Sequence, residues 1–552
     1  MKKAARLWHA HHDLVRLLGA DYLDALVYPH IVKDATKTVL PYVLEHDGKR
    51  TVLLRDSDSA MVSAQPATTH RFAVYGGYFS WNDSPSAPGL PQLIGELAPD
   101  CVVQVDDTLP VASYRALRGP LELDVADRAG ADQPLRHFTL ERAQVAAAME
   151  SNAATEPYRR AAKRVVEGFR FEARLLELLQ RPPEHDFALL DTQLEKAGVD
   201  AILVTSPFQL EELSGFPSTW LAQAGASLLF VRGDERLHLL LPGYGRLPGT
   251  VERATYRDVA GAVAAIAPGT LAVETGHADL RLARLLGADP SLIANASPLL
   301  YRWQELRAAS QLPYYVLAAN SARLATERAV AYAAGRLAQG GELRETELAL
   351  AFDTFLGEFA GECGLHGMFR PYFRIIHPGE RALVPAAPSP NVVSSRNRTV
   401  KFDMGTQVLD LAGRVRGCSD IAKTLCNTPE LEEFQSLLRT ILLDRVIPAI
   451  RPGVTGAAVH GSATEALAEQ DDRARGWNLL PQGRSGKEYS RDCGHVINRQ
   501  TICTIYLEPG CEQQIEAGMS GCVEFVWPVD EAVVAIEDAY LVTEAGAIPI
   551  TA

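Results

Sequence analysis

No apolar run in this 552-residue chain approaches the roughly 18 residues needed to span a bilayer. A Cys-x-x-Cys pair is absent, and eight cysteines over this length form neither a disulfide framework nor a zinc-knuckle pattern. A basic surplus is missing too: 54 Lys and Arg stand against 68 Asp and Glu, a net charge of −14. Nucleic acid and anionic membrane surfaces both need a basic footprint, so neither is expected as the main partner. The opening stretch, MKKAARLWHAHHDLVRLLGA, starts basic but is soon broken by His9, His11, His12 and Asp13. It lacks the apolar core of a secretory leader, and a reduced, cytoplasmic protein is the expectation. Low-complexity tracts and short repeats are absent as well.

What is present is the balance of an ordinary globular protein, 47% hydrophobic and 22% charged. At roughly 100–200 residues per domain the length suggests three units. Residues 1–138 alternate strand-like pieces (Thr38–Leu44, Thr51–Leu54, Arg71–Tyr75) with a Gly- and Pro-rich loop over Gly76–Pro91. Thr139–Leu179 reads as helical until Pro182-Pro183 breaks it, which sets a boundary there. A second α/β unit follows, with a helix over Phe187–Ala197, a buried strand over Val199–Thr205, and strands at Ser227–Val231 and Leu237–Leu241. From about Ala308 come two long helices, Leu312–Leu337 and Glu345–Gly361. Mostly strand-like sequence follows, holding two further helical stretches over Pro429–Ile450 and Gly456–Glu469. Domains are therefore expected at 1–182, 183–306 and 307–552. Seven of the eight cysteines lie in the last, where buried free thiols are the simplest account.

The chemistry-bearing residues are acids in apolar, strand-like surroundings. Val400-Lys401-Phe402-Asp403-Met404-Gly405 carries one, and Gly417-Cys418-Ser419-Asp420-Ile421 carries a second across a hairpin containing Gly413. Two carboxylates on paired strands repel unless a cation sits between them. Cys493-Gly494-His495-Val496-Ile497 supplies an imidazole, and Glu524 and Glu537 lie in two further apolar strands. Any one of these acids alone reads as an ordinary solvated or ion-paired residue. Together, four carboxylates and one histidine suit two divalent ions, and hard oxygen donors with one nitrogen favour Mn, Fe, Co or Zn.

The stretches FDMG, CSDIAKT, AIRPGVTG, CGHVIN, IEAGMSGCVEF and AIEDAYLVTEAG make residues 308–552 resemble the pita-bread metallopeptidases: aminopeptidase P, prolidase, methionine aminopeptidase and creatinase. The resemblance implies an α/β and α+β chain, with two creatinase-type N-terminal α/β domains before a C-terminal pita-bread domain. VDAILVTSPFQLEELSGF, residues 199–216, is similar to the strand–loop–LSGF signature of the second of these. The resemblance implies Asp403, Asp420, His495, Glu524 and Glu537 as ligands of two divalent metals, manganese first. Glu524 is the implied general base and a homodimer the implied assembly.

The chain also departs from that pattern. Asp403 and Asp420 are 17 residues apart, a longer hairpin than usual, which leaves Asp410 as a rival first ligand. Because the excess is even, the strands should still present the same face. Where the resembling peptidases carry substrate-holding histidines, this chain has Ala386, Arg491 and Ile502, and Ala535 stands in place of an arginine. Arg491, Asn498, Arg499 and His377 are the candidate substitutes for contacting substrate. The expectation is a metal-dependent hydrolase resembling an Xaa-Pro aminopeptidase, acting on a specialised small-molecule or short-peptide C–N bond. A non-peptidase dinuclear enzyme (elimination or oxidation) and a metal-binding pseudoenzyme are the alternatives.

Overall fold

The computed structural model describes residues 3–9, 42–55, 71–76, 87–126, 134–152, 155–216, 221, 225–242, 249–287, 289–383, 388–498, 502–529 and 532–551. The chain partitions into two compact units. One takes in the described residues up to Ser151 together with His185–Trp303; the other holds Asn152–Glu184 and Gln304–Ala552.

The first unit contains two sheets. The six-stranded sheet runs, in spatial order, through Arg71–Tyr75, Lys49–Arg55, Tyr42–His46, Lys3–His9, Cys101–Asp106 and Leu123–Ala126. The seven-stranded sheet runs through Val251–Tyr256, Leu135–Glu141, Arg236–Pro242, Ser227–Val231, Ala201–Val204, Leu271–Val273 and Ala294–Asn295. The expected helix from Thr139 begins only at Arg142, because Leu135–Glu141 is taken up between two strands of this second sheet. The segment before Leu213-Ser214-Gly215-Phe216 is also more ordered than the expected loop. Ser206 caps a helix over Pro207–Ser214 by accepting from the Gln209 amide, and Gly215 ends it in the left-handed region at φ 72°.

The second unit is built on an eight-stranded sheet of β1 (Phe369–Pro378), β2 (Thr399–Leu409), β3 (Val415–Cys426), β4 (Gly494–Ile497), β5 (Ile502–Tyr506), β6 (Ser520–Val529), β7 (Ala532–Thr543) and β8 (Gly546–Pro549). The spatial order is β1-β2-β3-β7-β6-β4-β5, with β8 also on β7. The long helices α1 (Leu312–Ala338), α2 (Glu345–Cys363), α3 (Pro429–Ile441) and α4 (Gly456–Ala468) fall where the sequence places them. Their starts are set by local chemistry: Pro sits in the first turn of α1 and α3, and the Thr428 and Thr455 hydroxyls cap α3 and α4.

Strand alternation then sorts the side chains. Val400, Phe402 and Met404 of β2 join Ala325, Ala329 and Phe352 of α1 and α2 in one apolar cluster. Val523, Phe525, Val534 and Ile536 of β6 and β7 join Leu431, Phe434, Leu438 and Val459 of α3 and α4 in another. At about 1.5–3 kcal/mol per fully buried large apolar side chain, this helix-covered face supplies ample stability. The opposite face of the same strands is left for polar work.

Candidate metal centre

The registers fix who meets whom on that opposite face. β2 and β3 pair with Asp403 opposite Ala422 and Gly405 opposite Asp420, so both aspartates point the same way, one row apart. β6 and β7 pair with Glu524 opposite Glu537, and β4 and β6 with His495 opposite Cys522. β3 and β7 share one recorded backbone pairing, Lys423 with Ile536; nearby, the Thr424 hydroxyl takes the Ala535 amide and donates to the Ala535 carbonyl. Asp420 and Glu537 approach across this loosened seam. The tight passage at β4 depends on Gly494, at φ 127°, where an added Cβ would lie 2.1 Å from the Cys522 carbonyl oxygen.

His495 Nε2 lies 3.5 Å from Asp420 Oδ2, 4.0 Å from Glu537 Oε1 and 3.2 Å from Cys522 Sγ. One donor atom from each of Asp420, His495, Cys522 and Glu537 falls within 4.8 Å of all the others, and all four residues are buried. Asp403 and Glu524 flank this group at half-buried positions. Asp403 accepts a 2.9 Å ion pair from Lys401 Nζ. Asp410 is elsewhere: its carboxylate accepts from the Ala412 and Arg414 amides and pairs with the Arg414 side chain, so it builds the β2–β3 turn.

The electrostatics are those of a site built for a cation. Burial, and then the charge of Asp403, pushes the Asp420 carboxyl well above the ordinary carboxylate range. Burial and then Asp420 do the same to Glu537, and burial and then Asp492 to Glu524. Asp420 Oδ1 and Glu537 Oε1 are buried without a hydrogen-bond partner. Buried acids in native proteins are normally paired or hydrogen-bonded, and a divalent metal supplies what is missing here. The donor set of carboxylates and imidazole therefore fits a metal of the Mn-to-Zn series.

The proposed substrate-contacting residues are placed unevenly. Arg491 is buried, close enough to Glu524 and Asp492 for their charges to act on it; burial first, then opposed by these charges, lowers its pKa. Asn498 is fully buried just beyond β4. His377 is fully buried against Glu345, Nδ1 to Oε1 3.1 Å, in an ion pair that also includes Arg381. Arg499 and Ala386 lie outside the described residues. Ala382, Ala422, Val526, Val533 and Ala535 pack into a small buried apolar cluster of their own.

Sequence reasoning missed three residues. Cys522 enters the donor group although cysteines read as buried thiols. Lys401 pairs with Asp403, and Asp492 stands buried near Glu524 with both carboxylate oxygens unpartnered. A signal existed for the first two: each lies two residues before an expected ligand on the same strand, and period-two alternation puts it on the ligand face.

A pita-bread-type sheet that gathers four buried metal-ligating residue types on one face defines a candidate metal centre. Residues 318–544, within the C-terminal unit, match the model of metallopeptidase family M24. Among solved structures, the X-prolyl aminopeptidase from Caenorhabditis elegans, described as a cytosolic enzyme with a di-nuclear active site, is 14% identical with a TM-score of 0.56. That alignment covers 100% of this chain and 86% of that one and shows a shared multi-domain fold. The Xaa-Pro dipeptidase from Bacillus anthracis aligns at 20% identity and TM-score 0.49, over 66% of this chain and 96% of that one. No curated protein sequence matches the chain. Among the described residues, no helix is long and apolar enough to cross a membrane.

Proposed function

We propose that this chain is a metal-dependent hydrolase that cleaves a C–N bond in a small or short-peptide substrate. The observation that carries the reading is the convergence of Asp420, His495 and Glu537, with two buried oxygens left unpartnered. These residues would hold the metal, with Asp403 and Glu524 beside them. A bound divalent metal polarises a substrate carbonyl and makes hydroxide available near neutral pH.

The chain's own groups divide the remaining work. Glu524 has its carboxyl raised by burial and by Asp492, which suits a group that takes a proton from water and returns it to a leaving amine. Arg491, beside Glu524, offers a cation for a substrate carboxylate. Ala422, Val526 and Ala535 pack together and present no hydrogen-bonding side chain. Ala535, where the resembling peptidases carry an arginine, supports a specialised substrate over general dipeptide turnover. A homodimer in a reducing cytoplasm completes the proposal.

The test is amine release from Xaa-Pro dipeptides and a panel of small amides, with metal-stripped and metal-restored protein. Hydrolysis that returns with metal and is lost in Glu524→Gln supports the proposal. No hydrolysis of any amide by metal-loaded protein would reject it.

A further inference from the structure

The geometry points to a centre holding one metal ion, with the Cys522 thiolate as a ligand and Lys401 occupying Asp403 in place of a second ion. This rests on the reading above that the buried acids and His495 hold a metal, and it changes the number and character of the ions.

The sulfur is placed by the ladder itself. Residue 522 lies directly opposite His495, and Cys522 Sγ sits 3.2 Å from Nε2 and 3.5 Å from Nδ1 of that ring. Asp420, His495, Cys522 and Glu537 each contribute one atom to a group no more than 4.8 Å across. Metal–ligand bonds of about 2.0–2.3 Å in a tetrahedron imply donor separations of roughly 3.3–3.8 Å. The recorded separations from His495 Nε2, 3.2, 3.5 and 4.0 Å, bracket that range. Four donors from four residues hold the ion, and water or a substrate oxygen would enter as a fifth ligand. Metal binding would displace the thiol proton to solvent.

Lys401 explains why the shell stops at one ion. Its ammonium lies 2.9 Å from Asp403 Oδ2, with the two side chains only 6% and 16% exposed. A second divalent ion on Asp403 would meet this ammonium at close range with little water between them. Asp403 is thus already neutralised, and the ion that remains is bound from the Asp420 side. A thiolate in the set shifts preference from manganese toward zinc, cobalt or iron.

The experiment uses the full-length protein stripped of metal and reloaded with cobalt(II), zinc or manganese. The expected result is one ion per chain, a sulfur-to-cobalt charge-transfer band in the near ultraviolet, and displacement of manganese by zinc. Cys522→Ser should abolish the band while retaining cobalt, and Lys401→Met should raise the content to two ions. The wild-type spectrum and metal count stand even if either variant fails to fold. Two ions per wild-type chain, or one ion without the sulfur band, overturns the inference but leaves the hydrolase reading intact. A Lys401→Met protein that stays at one ion overturns the role of the lysine. Protein that takes up no divalent ion overturns both.

Discussion

Two buried acid–histidine clusters in the second unit look alike in composition and differ in balance. In the first, His377 and Arg381 approach Glu345 Oε1 at 3.1 and 3.3 Å, while the Ser389 amide and hydroxyl both donate to Oε2. Burial opposes the charge on Glu345, yet His377 and the nearby Ser389 and Arg381 groups hold its carboxyl below the ordinary range. In the second, Asp420, Glu537 and Glu524 crowd one imidazole, and their carboxyls are driven the other way. One cluster brings Arg381 and His377 within 3.3 Å of its acid, although Glu345 Oε1 itself makes no hydrogen bond. The other is a deficit that an added cation fills. Burial and residue type do not separate a structural cluster from a functional one; the count of compensating charges does.

The largest effect should come from breaking the open cluster. His495→Ala removes the imidazole whose Nε2 lies within 4.0 Å of the other three donors. Metal affinity by equilibrium dialysis should fall by more than the roughly 10–100-fold that loss of a mere supporting partner costs. The same change should leave the fold intact by circular dichroism.

Next comes a pair of matched substitutions with opposite signs. Glu345→Gln takes the carboxylate from partly exposed Arg381 and buried His377 and should cost about 3 kcal/mol in chemical denaturation. Glu537→Gln, measured without metal, relieves repulsion and should raise stability. Equal losses in both would erase the distinction between the clusters.

A smaller, pH-dependent effect belongs to the first unit. There His137 Nε2 lies 3.1 Å from His238 Nδ1, and His238 Nε2 lies 3.1 Å from Asp234 Oδ2. Burial, then the charges of His238 and nearby arginines, lowers the His137 pKa from 6.5 to about 4. The unfolded chain therefore binds this proton more readily. The contribution is fully present above pH 6.5 and is lost as pH falls toward about 4. Denaturation midpoints across that window should fall in the wild type and fall less in His137→Phe.

The smallest effect is a control on the role of burial. Arg445 and Glu469 form an ion pair whose side chains are 48% and 53% exposed. Arg445→Ala should change stability by no more than about 0.5 kcal/mol.

Much of this centre was legible in the sequence because strands repeat with period two. Asp403, Asp420, His495, Glu524 and Glu537 each stood out as polar residues in apolar runs, and the registers turn all five to one face. The even excess in the β2–β3 hairpin keeps Asp403 and Asp420 on that face, and Asp410 is absorbed into the turn. The helices of the second unit were equally legible, since their caps and prolines are local signals. What escaped was pairing between distant strands. That Cys522 faces His495 depends on the β4–β6 register, and no local pattern encodes a register. The partner of His377 is hidden for the same reason: Glu345 lies 32 residues away, at the start of a helix. Leu135–Glu141 read as the edge of a helical region because only its neighbours in the second sheet make it a strand.

The most direct measurement is the melting temperature of metal-stripped protein as a divalent metal is titrated in, for wild type and His495→Ala. Ligand that binds only the folded state raises stability with concentration. The wild type should show a rising, saturating shift, and the variant little or none. A wild-type melting temperature that no divalent metal moves would contradict the existence of the centre.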